Sequence, residues 1–261
     1  MYQIMISPKY EKLKEEVEKL KVSLSMMVME KDELQHVICR NLETEYMMQL
    51  GDLEYQVFRA MCGYKRAKRK SEMIRACMNR GESVNIPQID RELDIEFQSY
   101  TQILQEKMER MNEAIQHRHG RILSDAETKE LKSLYRRIVR RLHPDLNPGV
   151  TPEQLGMYER AVESYRFGDL PALRMIDALT QQDVPETTEI SLEVQRDHLK
   201  ESIEHVRKEI TEIKARFPYT MKDLLSDPDQ IAEKRRILEQ QIRDYTAAKE
   251  TYEAQYMSSM N

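Results

Sequence analysis

Tryptophan is absent from this chain, glycine occurs only seven times and phenylalanine four. Sheet-rich domains use glycine in tight turns and aromatic residues on pleated faces. The composition therefore argues against a β architecture. The three cysteines, Cys39, Cys62 and Cys77, are odd in number and form no CxxC pair. That excludes a disulfide framework and favours buried thiols in a reducing compartment. No apolar run approaches the ~20 residues of a membrane span. Met1 to Pro8 shows no basic region followed by an apolar core, so no signal peptide is expected. The expectation is a soluble cytoplasmic protein with no membrane partner. The net charge of −5 gives no reason to expect a general polyanion binder. There is no glycine-rich phosphate loop, and no carboxylate pair sits in a recognisable cleft. No enzyme activity and no cofactor are expected.

What is present is helical. Charged residues make up 33% of the chain and apolar residues 40%, a balance suited to amphipathic helices. From Tyr10 the apolar positions follow a three-four rhythm: Leu13, Val17, Leu20, Leu24 and Met27, then Leu34, Ile38 and Leu42, then Leu50, Leu53, Val57 and Met61. This is a coiled-coil type of stripe, with Gly51 as a possible bend. Carried to about Asn79 it would span ~105 Å if straight. Arg80 to Ser83 stops it, and Pro87 can open the next helix. A second stripe, Ile89, Leu93, Phe97, Tyr100, Leu104, Met108, Met111 and Ile115, is expected to fold back antiparallel on the first. It is too short to cover all of it, so another element or a second chain must cover the rest. A homodimer is one expectation from this.

Ser124 and Glu127 form a capping box opening a helix that Pro144 ends after Leu142. Thr151 with Pro152 opens another, which runs to about Gly168. Asp169-Leu170-Pro171 opens a short third, to about Gln182. Asp183 to Glu189 reads as a linker. A further heptad stripe, Leu199, Ile203, Val206, Ile210, Ile213 and Phe217, is followed by a break and a return stripe from Ile231 to Tyr256, with Asp227 as a cap. Similar length and a short connection predict an antiparallel hairpin. The expected organisation is an all-α chain: long coiled-coil helices over 1–123, a helical domain over 124–182, a linker over 183–190 and a C-terminal antiparallel hairpin over 191–261.

The middle domain carries the chemistry. Leu131, Leu134, Tyr135, Ile138 and Leu142 share one helix face, while Lys132, Arg136, Arg137, Arg140 and Arg141 cover the other. Between residues 131 and 142 there are five cations and no acid. Ordinary surface helices pair such charges at i,i+4, whereas an unpaired basic face suits an acidic partner. Leu155, Tyr158, Ala161, Val162 and Tyr165 can pack against the apolar face. The loop between the two helices then presents His143, Pro144 and Asp145 beside the arginines. Histidine donates and accepts hydrogen bonds, proline stiffens the turn, and aspartate offers an anion to a partner's arginine.

Leu131 to Pro148, LKSLYRRIVRRLHPDLNP, resembles the second helix and loop of J domains, the modules of DnaJ-type co-chaperones. Tyr135-Arg136, His143-Pro144-Asp145 and Asn147-Pro148 stand at that family's spacing. Tyr158 to Phe167 looks like its third helix, with Tyr158, Ala161, Ser164 and Tyr165 inward, and GDLPALRMI would serve as a fourth. The Tyr and Leu-Gly signature of the family's first helix is missing upstream, where NEAIQHRHGRILSDAE stands instead. The resemblance covers about 60 residues. It implies that the basic helix docks on a DnaK-type chaperone of the 70-kDa heat-shock family. His143, Pro144 and Asp145 then trigger ATP hydrolysis, so that the partner clamps a client. Arg136, Arg137, Arg140 and Arg141 would be docking cations, with Lys132 and Asn147 beside them.

Other features carry less. Tyr64 to Lys70, YKRAKRK, is a basic run that reads as a solvated helix segment rather than a nucleic-acid patch, because only Tyr64 supplies an aromatic platform. His117 and His119 lack companions at metal-ligand spacing, and His198 and His205 are helix residues seven apart. Met26, Met27, Met29, Met47 and Met48 suit coiled-coil filling, with an adaptable client surface as the alternative. The expected function is a co-chaperone with an unknown client. A coiled-coil scaffold with an inactive J-like module is the alternative. Nucleic-acid binding through residues 65–70 is third.

Overall fold

The computed structural model describes residues 8–118, 123–180 and 192–260, and those residues contain helices and turns but no strand. In chain order the helices are α1 (Pro8–Glu33), α2 (Cys39–Tyr46), α3 (Asp52–Asn79), α4 (Ile86–Glu96), α5 (Gln98–Arg118), α6 (Asp125–Leu142), α7 (Pro152–Phe167), α8 (Leu170–Leu179), α9 (Leu192–Ala215), α10 (Lys222–Leu225) and α11 (Pro228–Met260). Two π-helical turns, Leu34–Ile38 and Met47–Gly51, flank α2. The all-α expectation holds. Among the described residues no helix is long and apolar enough to cross a membrane.

The chain forms two compact units, one of residues 1–41 and 121–220, the other of 42–120 and 221–261. This differs from the expected division. The N-terminal block 1–123 is shared between the units. The helices of 124–182 are not a free-standing domain, and the linker expected at 183–190 lies outside the described residues. The reason is the buried face of α1. Val17, Leu24, Val28 and Leu34 belong to the same core as Leu131, Leu134, Tyr135 and Ile138 of α6, Ala161 and Tyr165 of α7, and Leu199, Ile203, Val206 and Ile210 of α9. A stripe that wide needs partners on two sides.

In this first unit α1 and α9 run parallel. Glu16 meets Lys200 at 2.8 Å, Glu30 meets Lys214 at 2.8 Å and Lys31 meets Glu209 at 3.2 Å. The partners advance together along both helices, as they do in a parallel pair and cannot in an antiparallel one. In the second unit α11 lies along α3 in the same sense. Arg235 donates to the Gln49 carbonyl at 2.9 Å, Tyr64 packs between Tyr245 and Tyr252, and Lys70 sits over Tyr256. The antiparallel hairpin expected over 191–261 is therefore corrected. Each of its arms takes its own partner, α1 for α9 and α3 for α11. Heptad spacing is the same read in either direction, so it offered no vote on polarity. The stripe that invited a second chain is covered by this chain itself.

The expected fold-back of α4 and α5 on α3 is present and antiparallel. Arg66 pairs with Asp94 at 2.8 Å, Lys70 with Asp90 at 2.7 Å and Arg69 with Glu96 at 3.2 Å. Ile74, Ile89 and Leu93 form the core beneath these pairs. Gly51 ends the second π turn in a tight spot. A Cβ there would stand 3.2 Å from the Met47 sulfur and 3.4 Å from Met111.

The local signals around α6 to α8 acted as read. Ser124 and Glu127 cap each other at the start of α6, Thr151 and Gln154 do so at α7, and the Asp169 side chain caps α8. Gly168 ends α7 in the left-handed conformation, φ 67°, where glycine meets no Cβ penalty.

Candidate functional site: the His-Pro-Asp turn and the basic face of α6

Helix α6 has two faces because its residues alternate between them at helical spacing. Leu131, Leu134, Tyr135, Ile138, Val139 and Leu142 are buried, and Tyr135 and Ile138 are fully so. Of the five cations facing away from this core, three are used inside the protein. Arg137 grips the Asp177 carboxylate of α8 through Nε and Nη2, the shorter contact being 2.8 Å. Arg141 reaches the other carboxylate oxygen at 3.1 Å, as well as the Asp177 carbonyl and the Thr180 hydroxyl. Lys132 forms an ion pair with Glu33 of α1. The Asp177 side chain is only 8% exposed, and the Arg137 guanidinium beside it holds its carboxyl below the usual range.

Arg136 and Arg140 are exposed and enter no ion pair among the described residues. Two turns before Arg136, on the same stripe, stands Lys129, also exposed. Its helical spacing of seven from Arg136 and eleven from Arg140 gave a signal for it. It lies two residues before Leu131, outside the apolar repeat that marks the helix in the sequence. The free basic stripe is therefore Lys129, Arg136 and Arg140. The acid nearest in sequence, Glu130, is occupied by Arg174 at 2.7 Å.

The stripe leads to the turn. His143 is the C-cap of α6 and leaves the helix at φ −65° and ψ 125°, as the following proline requires. Its carbonyl accepts from the Leu146 and Asn147 N–H groups, both at 3.0 Å, closing the turn. Asn147 Nδ2 donates to the Arg140 carbonyl at 2.8 Å, satisfying one of the open carbonyls at the end of α6. Leu146 anchors the turn in the core. Pro144 is exposed, whereas His143 and Asp145 are half-buried. The His143 ring stands edge-on to Tyr158 with centroids 5.3 Å apart, and its Nδ1 accepts from the Asp145 N–H at 3.2 Å. An accepting Nδ1 places the proton of the neutral ring on Nε2. Burial lowers the pKa of this imidazole and favours that neutral form.

Behind His143 lies a buried polar pair. Tyr135 stacks on Tyr165 at 4.3 Å, and its hydroxyl donates to Asp32 Oδ2 of α1 at 2.6 Å. Tyr158 is half-buried, and burial pushes its phenol pKa up. Asp32 is 5% exposed, and burial raises its pKa. Its neighbour Lys31 turns away to Glu209 of α9. The sequence offered no signal for Asp32, which lies 103 residues from Tyr135. Helix α1 packs against α6, and the π turn after it packs against α7.

The other candidates resolve as follows. In the 65–70 run, Arg66, Arg69 and Lys70 are paired with acids of α4, and Lys65 lies over Tyr100. Lys68 alone of these cations has no such contact among the described residues. The side chains of His117 and His119 lie outside the described residues. His198 is exposed, and His205 faces Glu209 at 3.5 Å. Cys39 and Cys62 are buried, but Cys77 is half-exposed. Of the methionines, Met26 and Met48 are exposed, while Met27 and Met47 pack on cores. No protein-family model, curated protein or solved structure matches this chain.

Proposed function

We propose that this protein is a J-domain co-chaperone that docks on a DnaK-type chaperone and stimulates its ATP hydrolysis. The observation that carries the reading is one continuous surface. The unpaired stripe of Lys129, Arg136 and Arg140 runs down α6 and ends at a closed His143-Pro144-Asp145 turn. Cations fixed on a rigid helix are pre-oriented for an acidic partner face, and such complementarity sets encounter rate and register. The turn stands at the end of that face, so docking by the stripe delivers it to one place on the partner. Arg137, Arg141 and Lys132 support this surface from within, and Asn147 holds the turn on the helix end. The protein's own contribution is positional and electrostatic, with the hydrolysis carried out by the partner. The client is held by the remaining helices.

A second reading follows from a specific observation. Helices α6, α7 and α8 share their core with α1 and α9, so the J-like part is built into a larger helical body, as suits a scaffold. Single-turnover ATP hydrolysis by a DnaK-type chaperone separates the two. Stimulation by this protein and its loss in His143→Gln, with circular dichroism unchanged, supports the co-chaperone. No stimulation by the intact protein supports the scaffold.

A further inference from the structure

A cavity opens between the last turns of α3 and the end of α11, within the second unit. It measures about 140 Å³ and is half open to solvent. That is room for more than one water, yet well short of the cavities that take large organic ligands. Ser71, Ile74, Arg75, Met78 and Asn79 line it from α3, and Tyr256 lines it from α11. We propose that this cavity is a binding site for a small carboxylate with a short aliphatic tail. Such binding is independent of the co-chaperone reading and stands or falls without it.

The polar residues share one stripe of α3, because Ser71, Arg75 and Asn79 follow one another at intervals of four. Ser71 is only 4% exposed, and its hydroxyl forms no hydrogen bond among the described residues. No fully sealed side-chain oxygen or nitrogen lacks a partner there, so the Ser71 oxygen is reached from the cavity it lines. A hydroxyl taken out of bulk water without a partner is costly, and the cavity is where its partner can come from. Arg75 is exposed and enters no ion pair among the described residues. The acids one turn away on each helix are engaged elsewhere, Glu72 with Arg69 at 3.8 Å and Glu253 with Lys249 at 3.6 Å. Met78 and the Tyr256 ring supply an apolar wall over buried Ile74, and Lys70 stands over the Tyr256 ring.

These groups define the ligand. A guanidinium offers parallel N–H groups that match a planar carboxylate, and the Ser71 hydroxyl and Asn79 amide can each add a donor. One free arginine suits a single negative charge better than the nearly two of a phosphate monoester. The last carbonyls of α3 would repel an anion, but they accept from the N–H groups of Arg80, Gly81 and Glu82. The apolar wall and the small volume limit the rest of the ligand to a few carbons. Two sources carry this chemistry, a free short-chain acid and the C-terminal carboxylate of a polypeptide that ends in a small aliphatic residue.

The test uses the full chain with 13C-methyl methionine. The Met78 and Met175 signals are assigned from their loss in Met78→Leu and Met175→Leu. Butyrate, N-acetylvaline and N-acetylvalinamide are titrated through the millimolar range at pH 7 and constant ionic strength. The expected result is a saturable shift of the Met78 methyl with both acids and none with the amide, while exposed Met175 of the first unit stays in place. Whichever acid binds more tightly names the source, butyrate a free acid and N-acetylvaline a chain end. Arg75→Gln should weaken the acids by about tenfold or more, the factor for a charge-assisted bond, and Ser71→Ala by about fivefold, the factor for an ordinary one. Circular dichroism checks that both variants are folded. No saturable shift with either acid, equal binding of acid and amide, or full affinity in folded Arg75→Gln would overturn the site.

Discussion

Asp177 holds two arginines of α6, and its replacement by asparagine is the most direct probe of how the basic face is built. The change keeps the side chain's size and removes its charge. The Arg137 side chain is 46% exposed, so water replaces much of what it loses. That contact is worth about 0.5–1 kcal/mol, as for a surface pair. Arg141 is 26% exposed, and a charge-assisted bond there contributes about 1.5–3 kcal/mol. Part of that remains, because Arg141 keeps the Asp177 carbonyl and Thr180. The expected loss at pH 7 is about 2 kcal/mol, read from amide hydrogen exchange in α6 and α8, which reports on this unit alone. The sign with pH is fixed by the direction of the shift. Arg137 depresses the folded-state pKa of Asp177, so the folded protein binds fewer protons at this site than the unfolded chain. The contribution is complete above the unfolded value of about 3.9 and fades as pH falls through the lower folded value. The gap between the protein and its Asp177→Asn variant should therefore close on acidification. A gap absent at pH 7, or one that widens toward pH 3, refutes the reasoning.

Tyr135→Phe leaves buried Asp32 without its donor and should cost about 1–3 kcal/mol; adding Asp32→Ala should recover part of that loss in a double-mutant cycle on unfolding midpoints. Carbodiimide coupling followed by peptide mass spectrometry should join Lys200 to Glu16, Lys31 to Glu209 and Lys214 to Glu30, whereas links between the start of α1 and the end of α9 would contradict the parallel pairing. Gly168→Ala places a Cβ at positive φ and 3.2 Å from a Leu123 methyl. It should destabilise the protein by about 1–2 kcal/mol, measured by thermal melting, and an unchanged melting temperature would count against the left-handed cap.

The features that could be read from sequence are those whose physics is local. A capping box needs only Ser124 and Glu127, and a helix stop needs only Pro144 after His143. Both stand where expected, as do Thr151, Asp169 and Asp227 at their helix starts. The inward face of α6 was equally legible, because burial follows from a repeat within one helix. What was hidden depends on distant partners. Five cations without an acid between residues 131 and 142 looked unpaired, yet three of them take their anions from Glu33 and Asp177. Nothing in the spacing of α9 says that it lies along α1, and nothing around Asp32 distinguishes it from the other acids of a charged helix. The turn was found by its residues, whereas its support was visible only once the helices were placed.

The parallel pairing of α1 with α9 sets a timetable for the chain's birth. Glu30 and Lys214 are 184 residues apart. At roughly 5–20 residues per second a ribosome takes about 10–40 s to make that stretch. For that interval α1 has emerged with Val17, Leu24 and Val28 uncovered and no α9 to receive them, and α3 waits in the same way for α11. Few of these contacts are local, so the nascent chain must delay its collapse until its last third appears. A protein proposed to recruit a chaperone for others would thus itself spend its synthesis as a substrate for one.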